Sequence, residues 1–292
     1  MLNKSICFLF VALLFGACAG GSGGVPSWFY SSTSDEKNLY GVGSNKDLQR
    51  AKDAALSDML STLMVGIQSK TNVSSSFSDG IESNSIKESI NKEIARTTLR
   101  NISYKVQTHD NTYFVRAHIT KGDFISQLKE DNKKSLNKLQ ALNIQCDDIA
   151  LNQYSALKME LAKISRTQGY LSVLGASGTP FLEYSDMFER NSPKPKLALI
   201  VSEENKQGGK ELKSALQKEL VKFYRLDSKA SQKAFVSFDL SYKEMSAEVK
   251  ITDCNGNTTF IEEFKESSKS ADIARLANRI GVLLYKKLNT LE

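Results

Sequence analysis

Histidine, tryptophan, proline and cysteine are all scarce in this chain. Of 292 residues two are His, one is Trp, four are Pro and four are Cys. With only His109 and His118, and no Cys-x-x-Cys pair, the ligand sets of a zinc centre or a dithiol redox site are missing. No proline stands between Pro26 and Pro180, so the middle of the chain is free to form uninterrupted helices. Charge of one sign is never massed. The formal net charge is +6 at pH 7, but Lys and Arg are interspersed with Asp and Glu, which argues against a nucleic-acid partner. Beyond the first stretch, no segment approaches the roughly 20 apolar residues that cross a bilayer. Catalytic motifs are equally thin. Gly175-Ala176-Ser177-Gly178 lacks the glycine spacing of a nucleophile elbow and follows a helical pattern. Ser89 to Lys92 is one of several Ser-x-x-Lys matches in a chain rich in both residues. Gly208-Gly209 lies between strand and helix patterns but has neither the GxGxxG spacing nor the P-loop lysine. The expectation is a protein that is not an enzyme, with no cofactor, no metal, no catalytic residue and no small-molecule substrate.

What is present begins at the N-terminus. Ile6 to Ala17 is an uncharged, largely apolar run preceded by Lys4. It is too short to span a bilayer and has the length of a signal-peptide hydrophobic region. Leu14-Phe15-Gly16-Ala17-Cys18 resembles a bacterial lipobox, departing from it at Phe15, where a smaller aliphatic residue is usual. That resemblance implies a cleaved signal over 1–17 and a diacylglyceryl and N-acyl (palmitate-type) anchor on Cys18; a secretory signal with an incidental cysteine is the alternative. Three acyl chains hold a protein stably, since two already suffice. Residues 18–25 follow as a glycine-rich flexible tether. Ala19 is not the aspartate that retains enteric lipoproteins at the inner membrane, so the analogy points to the outer membrane.

The rest of the chain divides into three. Residues 26–122 show the order β-α-β-α-β-β. Trp28-Phe29-Tyr30 opens this region, as a lid on the core or as an interaction surface. Asn38 to Ser44 is a short strand ending in a glycine turn, and Asn45 to Gln68 a helix carrying Ala51, Ala54 and Ala55. Ile67 to Phe77 alternates as a strand, and Ser85 to Thr98 is a helix. Two strands around Tyr104 and Val115 are joined at His109-Asp110-Asn111-Thr112. Both histidines are read as exposed. Gly41 and Gly43 are read as room for the helix, and Asp47, Lys52 and Asp53 as its solvated face. Residues 123–192 form a polar helical hairpin broken near Asn143 to Asp148, then a connecting segment. Residues 193–292 show the order β-α-β-β-β-α. Leu197 to Val201 reads as a strand buried on both faces, Asn255-Gly256 as a hairpin turn, and Ser270 as the cap of the last helix. The fold class is α+β, two small sandwich-type domains joined by a helical hairpin. Cys146 and Cys254 read as two separate thiols, with a disulfide as the alternative.

The run Trp28-Phe29…Leu39-Tyr40-Gly41-Val42-Gly43…Ala51-Lys52-Asp53-Ala54-Ala55-Leu56-Ser57-Asp58-Met59-Leu60 is similar to the LPP-twenty lipoprotein family of Helicobacter, Campylobacter and their relatives. The same signature resembles the N-terminal domain of the flagellar protein FlgT. The resemblance covers about Pro26 to Gln127 and implies an outer-membrane lipoprotein with envelope, motility or host-contact roles. In element order alone, the C-terminal domain is similar to the N-terminal domain of TolB and to lipoprotein activators of penicillin-binding proteins. Together these give an interaction, adhesion or envelope-structure module, membrane-attached through Cys18 and meeting a protein or glycan partner. A periplasm-facing regulator of peptidoglycan synthesis is the alternative.

Overall fold

The structure, a computed structural model, describes residues 24–71, 99–269 and 272–291. The expected signal sequence, Cys18, most of the tether and the helix at Ser85 to Thr98 lie outside the described residues. Residues up to Gln127 form one compact unit and those from Leu128 a second.

The first unit opens with α1 (Ser27–Ser31), β1 (Asn38–Asn45) and α2 (Leu48–Thr71), and continues with β2 (Ser103–His109) and β3 (Thr112–Thr120). The strands form an antiparallel sheet in the order β1-β3-β2. Asp47 caps α2 by accepting from Arg50 N at 2.9 Å, so it is not merely part of a solvated face. Ile67, Ser69 and Thr71 were expected to begin a strand, but α2 runs on to Thr71. Alternation of small Ser and Thr residues does not override a helix already nucleated on the sheet. Helix α2 lies unusually close to that sheet. A Cβ on Gly41 would stand 2.1 Å from the Ala55 carbonyl oxygen, and one on Gly43 2.4 Å from Ala55 N. The two glycines, with fully buried Ala51 and Ala55, are therefore a packing device; Ala54 is exposed and contributes backbone only. Asp58 closes the seam by accepting from Val42 N at 2.9 Å.

The second unit holds the end of α3 (Lys121–Ala141), then α4 (Leu151–Val173) and α5 (Leu182–Arg190). Helix α5 lies in what the sequence presented as a connecting segment. Phe181, Tyr184, Met187 and Phe188 seat it on the core of Leu139, Tyr154, Leu157, Leu161 and Ile164. The remainder is β4 (Lys196–Val201), α6 (Gly209–Leu220), β5 (Arg225–Leu226), β6 (Lys233–Leu240), β7 (Glu244–Thr252), β8 (Thr258–Ser267) and α7 (Ile273–Leu288). The sheet order is β5-β4-β6-β7-β8, parallel around β4 and antiparallel from β6 onward. The short strand β5 was not expected. Helices α6 and α7 pack through Leu212, Leu216, Ile280 and Leu284 with Leu197, Val236, Val249 and Ile251 of the sheet. Each such side chain contributes about 1.5–3 kcal/mol on burial. Strand β4 is not covered on both faces: Ile200 is 42% exposed. Asp272 caps α7, accepting from Arg275 N at 3.0 Å, and Ser270, the expected cap, lies outside the described residues.

Residues 142–150 tie the helical middle to this sheet. Cys146 and Cys254, 108 positions apart in the sequence, are joined in a disulfide with Cα atoms 5.8 Å apart, which replaces the reading of two separate thiols. Asp148 accepts from Ser231 N at 2.7 Å, and Gln232 Nε2 donates to Ile149 O at 3.2 Å. Leu151 belongs to the same buried cluster as the strands. Buried Asn191 accepts from Ile149 N and donates to Asp147 O.

Candidate functional site

The strand period of two places one register of the first sheet against α2 and the other on the opposite face. On that opposite face the cross-strand rows are Tyr40–His118–Ser103, Val42–Arg116–Lys105 and Ser44–Phe114–Gln107. None of these nine positions is a carboxylate. The register depends on the hairpin at Asp110-Asn111, whose φ values of 44° and 57° give the left-handed pair of a two-residue turn.

Helix α1 crosses this face. Phe29 meets Phe114 edge to face, with ring centroids 5.2 Å apart, and Trp28 Nε1 donates to Gln107 Oε1 at 3.3 Å. The Trp28 ring carries two cations, Lys105 Nζ at 5.5 Å and the Arg116 guanidinium at 5.8 Å. Arg116 also lies 5.2 Å from the Tyr40 ring, so its guanidinium is shared by two aromatics. Each such contact contributes about 0.5–1 kcal/mol at an exposed site. Tyr30, by contrast, is 76% exposed. Of the three aromatics singled out in the sequence, Trp28 and Phe29 lie half-buried on the sheet and Tyr30 points to solvent; Cys18 lies outside the described residues.

His118 is half-buried rather than exposed. It stacks on Tyr40 at 5.0 Å, with Nε2 2.9 Å from Asn38 Oδ1 and Nδ1 3.0 Å from Ser103 Oγ. Asn38 in turn donates to Asp35, whose carboxyl is held below the usual carboxylate range by that side-chain bond and by the Lys37 and Asn38 amides. The chain Ser103–His118–Asn38 has the contacts of a nucleophile, base and orienting group. Its three members stand one on each strand of the sheet, in the cross-strand row of Tyr40, His118 and Ser103 and beside it at Asn38. These contacts link β1, β3 and β2. Half-buried His109 meets Asp110 at 3.0 Å, and among the described residues no group of three or more His, Cys, Asp or Glu is placed to hold a metal ion.

The geometry thus centres on a small sheet roofed by a Trp-Phe-Tyr helix and backed by a glycine-welded alanine helix. Residues 26–120 match the LPP20 lipoprotein family. The LPP20 match covers the described part of the first unit almost completely and stops before α3. A crystal structure of the secreted protein HP1454 from Helicobacter pylori is similar with a TM-score of 0.58 at 15% identity, covering 86% of this chain and 96% of that chain. At that identity the likeness is one of fold, and it extends the α+β architecture well beyond the LPP20 segment. No curated protein matches the sequence.

Sequence reasoning missed Lys105, Arg116 and Tyr40. The polar register was visible, since Arg116 and His118 alternate with Val115, Ala117 and Ile119. What places Lys105 beside Arg116 is strand pairing, which one strand's pattern does not carry.

Proposed function

We infer that the protein is a non-enzymatic, lipid-anchored envelope lipoprotein, held at the outer membrane through Cys18 and acting as an interaction module. The observation that carries this is the LPP20 match starting at Pro26, a few residues after a signal-like run ending in Leu14-Phe15-Gly16-Ala17-Cys18. The secreted character of the Helicobacter pylori relative agrees with export of this chain. Adhesion, envelope structure and motility are all served by the same physical device, an acylated cysteine on a short tether that presents folded units at a membrane surface. Cys18→Ser is the test. The unaltered protein incorporates labelled palmitate and fractionates with the outer membrane. The variant takes up no label and is released by a high-salt wash. Retention of the variant under that wash would overturn the anchor. Protease treatment of intact cells then separates outward display, which predicts cleavage, from a periplasm-facing role, which predicts protection.

A further inference from the structure

Lys105 and Arg116 are direct cross-strand partners on one face of the first sheet. Like charges in that arrangement destabilise a sheet. Usually a carboxylate is placed nearby to offset them. Here the surrounding positions are Val42, Tyr40, His118, Ser103, Phe114, Ser44 and Gln107, and among the described residues no carboxylate lies within ion-pair distance of either cation. Among the described residues the compensation is the pair of rings, Trp28 and Tyr40. Arg116 Nε is buried without a hydrogen-bond partner, and Lys105 is exposed. Tyr30 stands at the edge of the same cluster, 5.7 Å from Phe29 and open to solvent. The composition of the patch, two cations beside amphipathic Trp and Tyr with no anion among the described residues, is that of a side chain set at a lipid–water interface.

Chain length says which anion lies within reach. Trp28 is ten residues after Cys18. Fully extended, those ten residues span at most about 35 Å, and a glycine-rich coil of that length averages roughly 18 Å. If Cys18 holds the acyl chains, the patch is confined within that distance of phospholipid phosphates. We propose that the face formed by Trp28, Tyr30, Lys105 and Arg116 is a membrane-contact site for anionic phospholipid headgroups, which seats the LPP20 unit on the bilayer that anchors it. Phosphate oxygens bridge Lys105 and Arg116, while Tyr30 and Trp28 lie at the headgroup level. The choice of membrane over other anions rests on the lipid-anchored reading above; the cross-strand pairing of two cations does not.

The test uses the mature chain with Cys18→Ser, which has no acyl group, so the face is measured apart from the anchor. Its probes are vesicles of phosphatidylcholine alone and vesicles with an equal share of phosphatidylglycerol. The single tryptophan is the reporter. Binding to the phosphatidylglycerol vesicles is expected, weakening with salt, with Trp28 emission quenched by lipids spin-labelled at the headgroup. Phosphatidylcholine alone should bind far less. Lys105→Gln should weaken binding about fivefold, as expected for one interfacial cation. Tyr30→Ser should weaken it less, and Lys229→Gln, an exposed cation of the second unit, should leave it unchanged. Lys105 and Tyr30 are exposed, so their variants fold, as circular dichroism would check. Binding that is unaffected by Lys105→Gln, or that leaves Trp28 emission unmoved, would overturn the site. Displacement by polyglutamate at the charge concentration of the lipid would make an acidic peptide the occupant and overturn the headgroup assignment. Failure of the palmitate experiment with success here would remove the anchor and leave the face; the reverse would remove the face alone.

Discussion

The two units solve the same packing problem by opposite means. In each, the long helices pack on one face of a sheet. The first brings its helix to the sheet by removing side chains: Gly41 and Gly43 face Ala51 and Ala55, and backbone meets backbone. The second fills its interface with large aliphatics from α6, α7 and the strands, then pins a distant segment by covalent and hydrogen bonds. The difference shows where each unit is vulnerable. The first tolerates no added volume at its seam, while the second depends on keeping residues 142–150 in place. The opposite faces differ as well. That of the first carries Lys105 and Arg116 among aromatics, with no carboxylate in ion-pair distance among the described residues. That of the second alternates polar and apolar residues, with Phe235 and Ile261 exposed beside Lys250.

The largest expected effect is on the second unit. Replacing Cys146 and Cys254 together by Ser opens a loop of 108 residues. In the chain-entropy description, closing a loop of that size contributes about 4.7 kcal/mol, within a usual range of about 2–5. A thermal melt should show the transition of the second unit falling by many degrees and that of the first unmoved. Equal shifts in both would dissolve the contrast drawn between them. A fragment of 193–292 loses this bridge together with Leu151, Asp148 and Asn191, and should melt well below a fragment of 128–292; matching melts would mean the middle helices add nothing to the sheet.

Next in size is Gly41→Ala. Its new methyl would lie 2.1 Å from Ala55 O, a backbone atom that moves only with the whole helix. Overpacking of this kind destabilises by about 1–3 kcal/mol, and the first transition alone should fall. Gly281→Ala is the matching change in the second unit, where a Cβ would stand 3.0 Å from Ala215 O. There the strain is smaller and alanine's helix propensity offsets up to about 1 kcal/mol of it. A larger loss at Gly281 than at Gly41 would reverse the assignment of which unit is welded by backbone contact.

The smallest effect concerns Lys52, whose ammonium lies 5.2 Å from the Tyr104 ring on the α2 side of the first sheet. Lys52→Ala should shift stability by no more than about 0.5 kcal/mol, as ordinary surface changes do. It should also leave vesicle binding intact, because the cationic face is the other one. A loss of binding with stability unchanged would put the functional surface on the wrong side of the sheet.

The elements of regular pattern were legible from residues alone. Periods of two and 3.6 located β3, α3, α4, α6, β6, β7 and α7, and Asp110-Asn111 and Asn255-Gly256 marked their turns. The glycine-alanine seam was legible for the same reason, since small residues at strand and helix spacing have few other uses. Misreadings fell where neighbours decide. Ile67 to Thr71 joined a helix because the preceding turns were already helical. Helix α5 formed around Phe181 and Phe188 only because a cluster waits for them.

Sequence by itself determined the α+β class, the paired-helix middle, the scarcity of metal-ligand and nucleophile motifs, and the lipoprotein-like start at Leu14 to Cys18. Those are properties of local period, composition and length, each read within one segment. Tertiary structure decided the disulfide, the burial of Asn191, the half-buried state of His118 and the pairing of Lys105 with Arg116. Each of these joins residues from separate segments, and the free energy that fixes them belongs to the contact rather than to either partner.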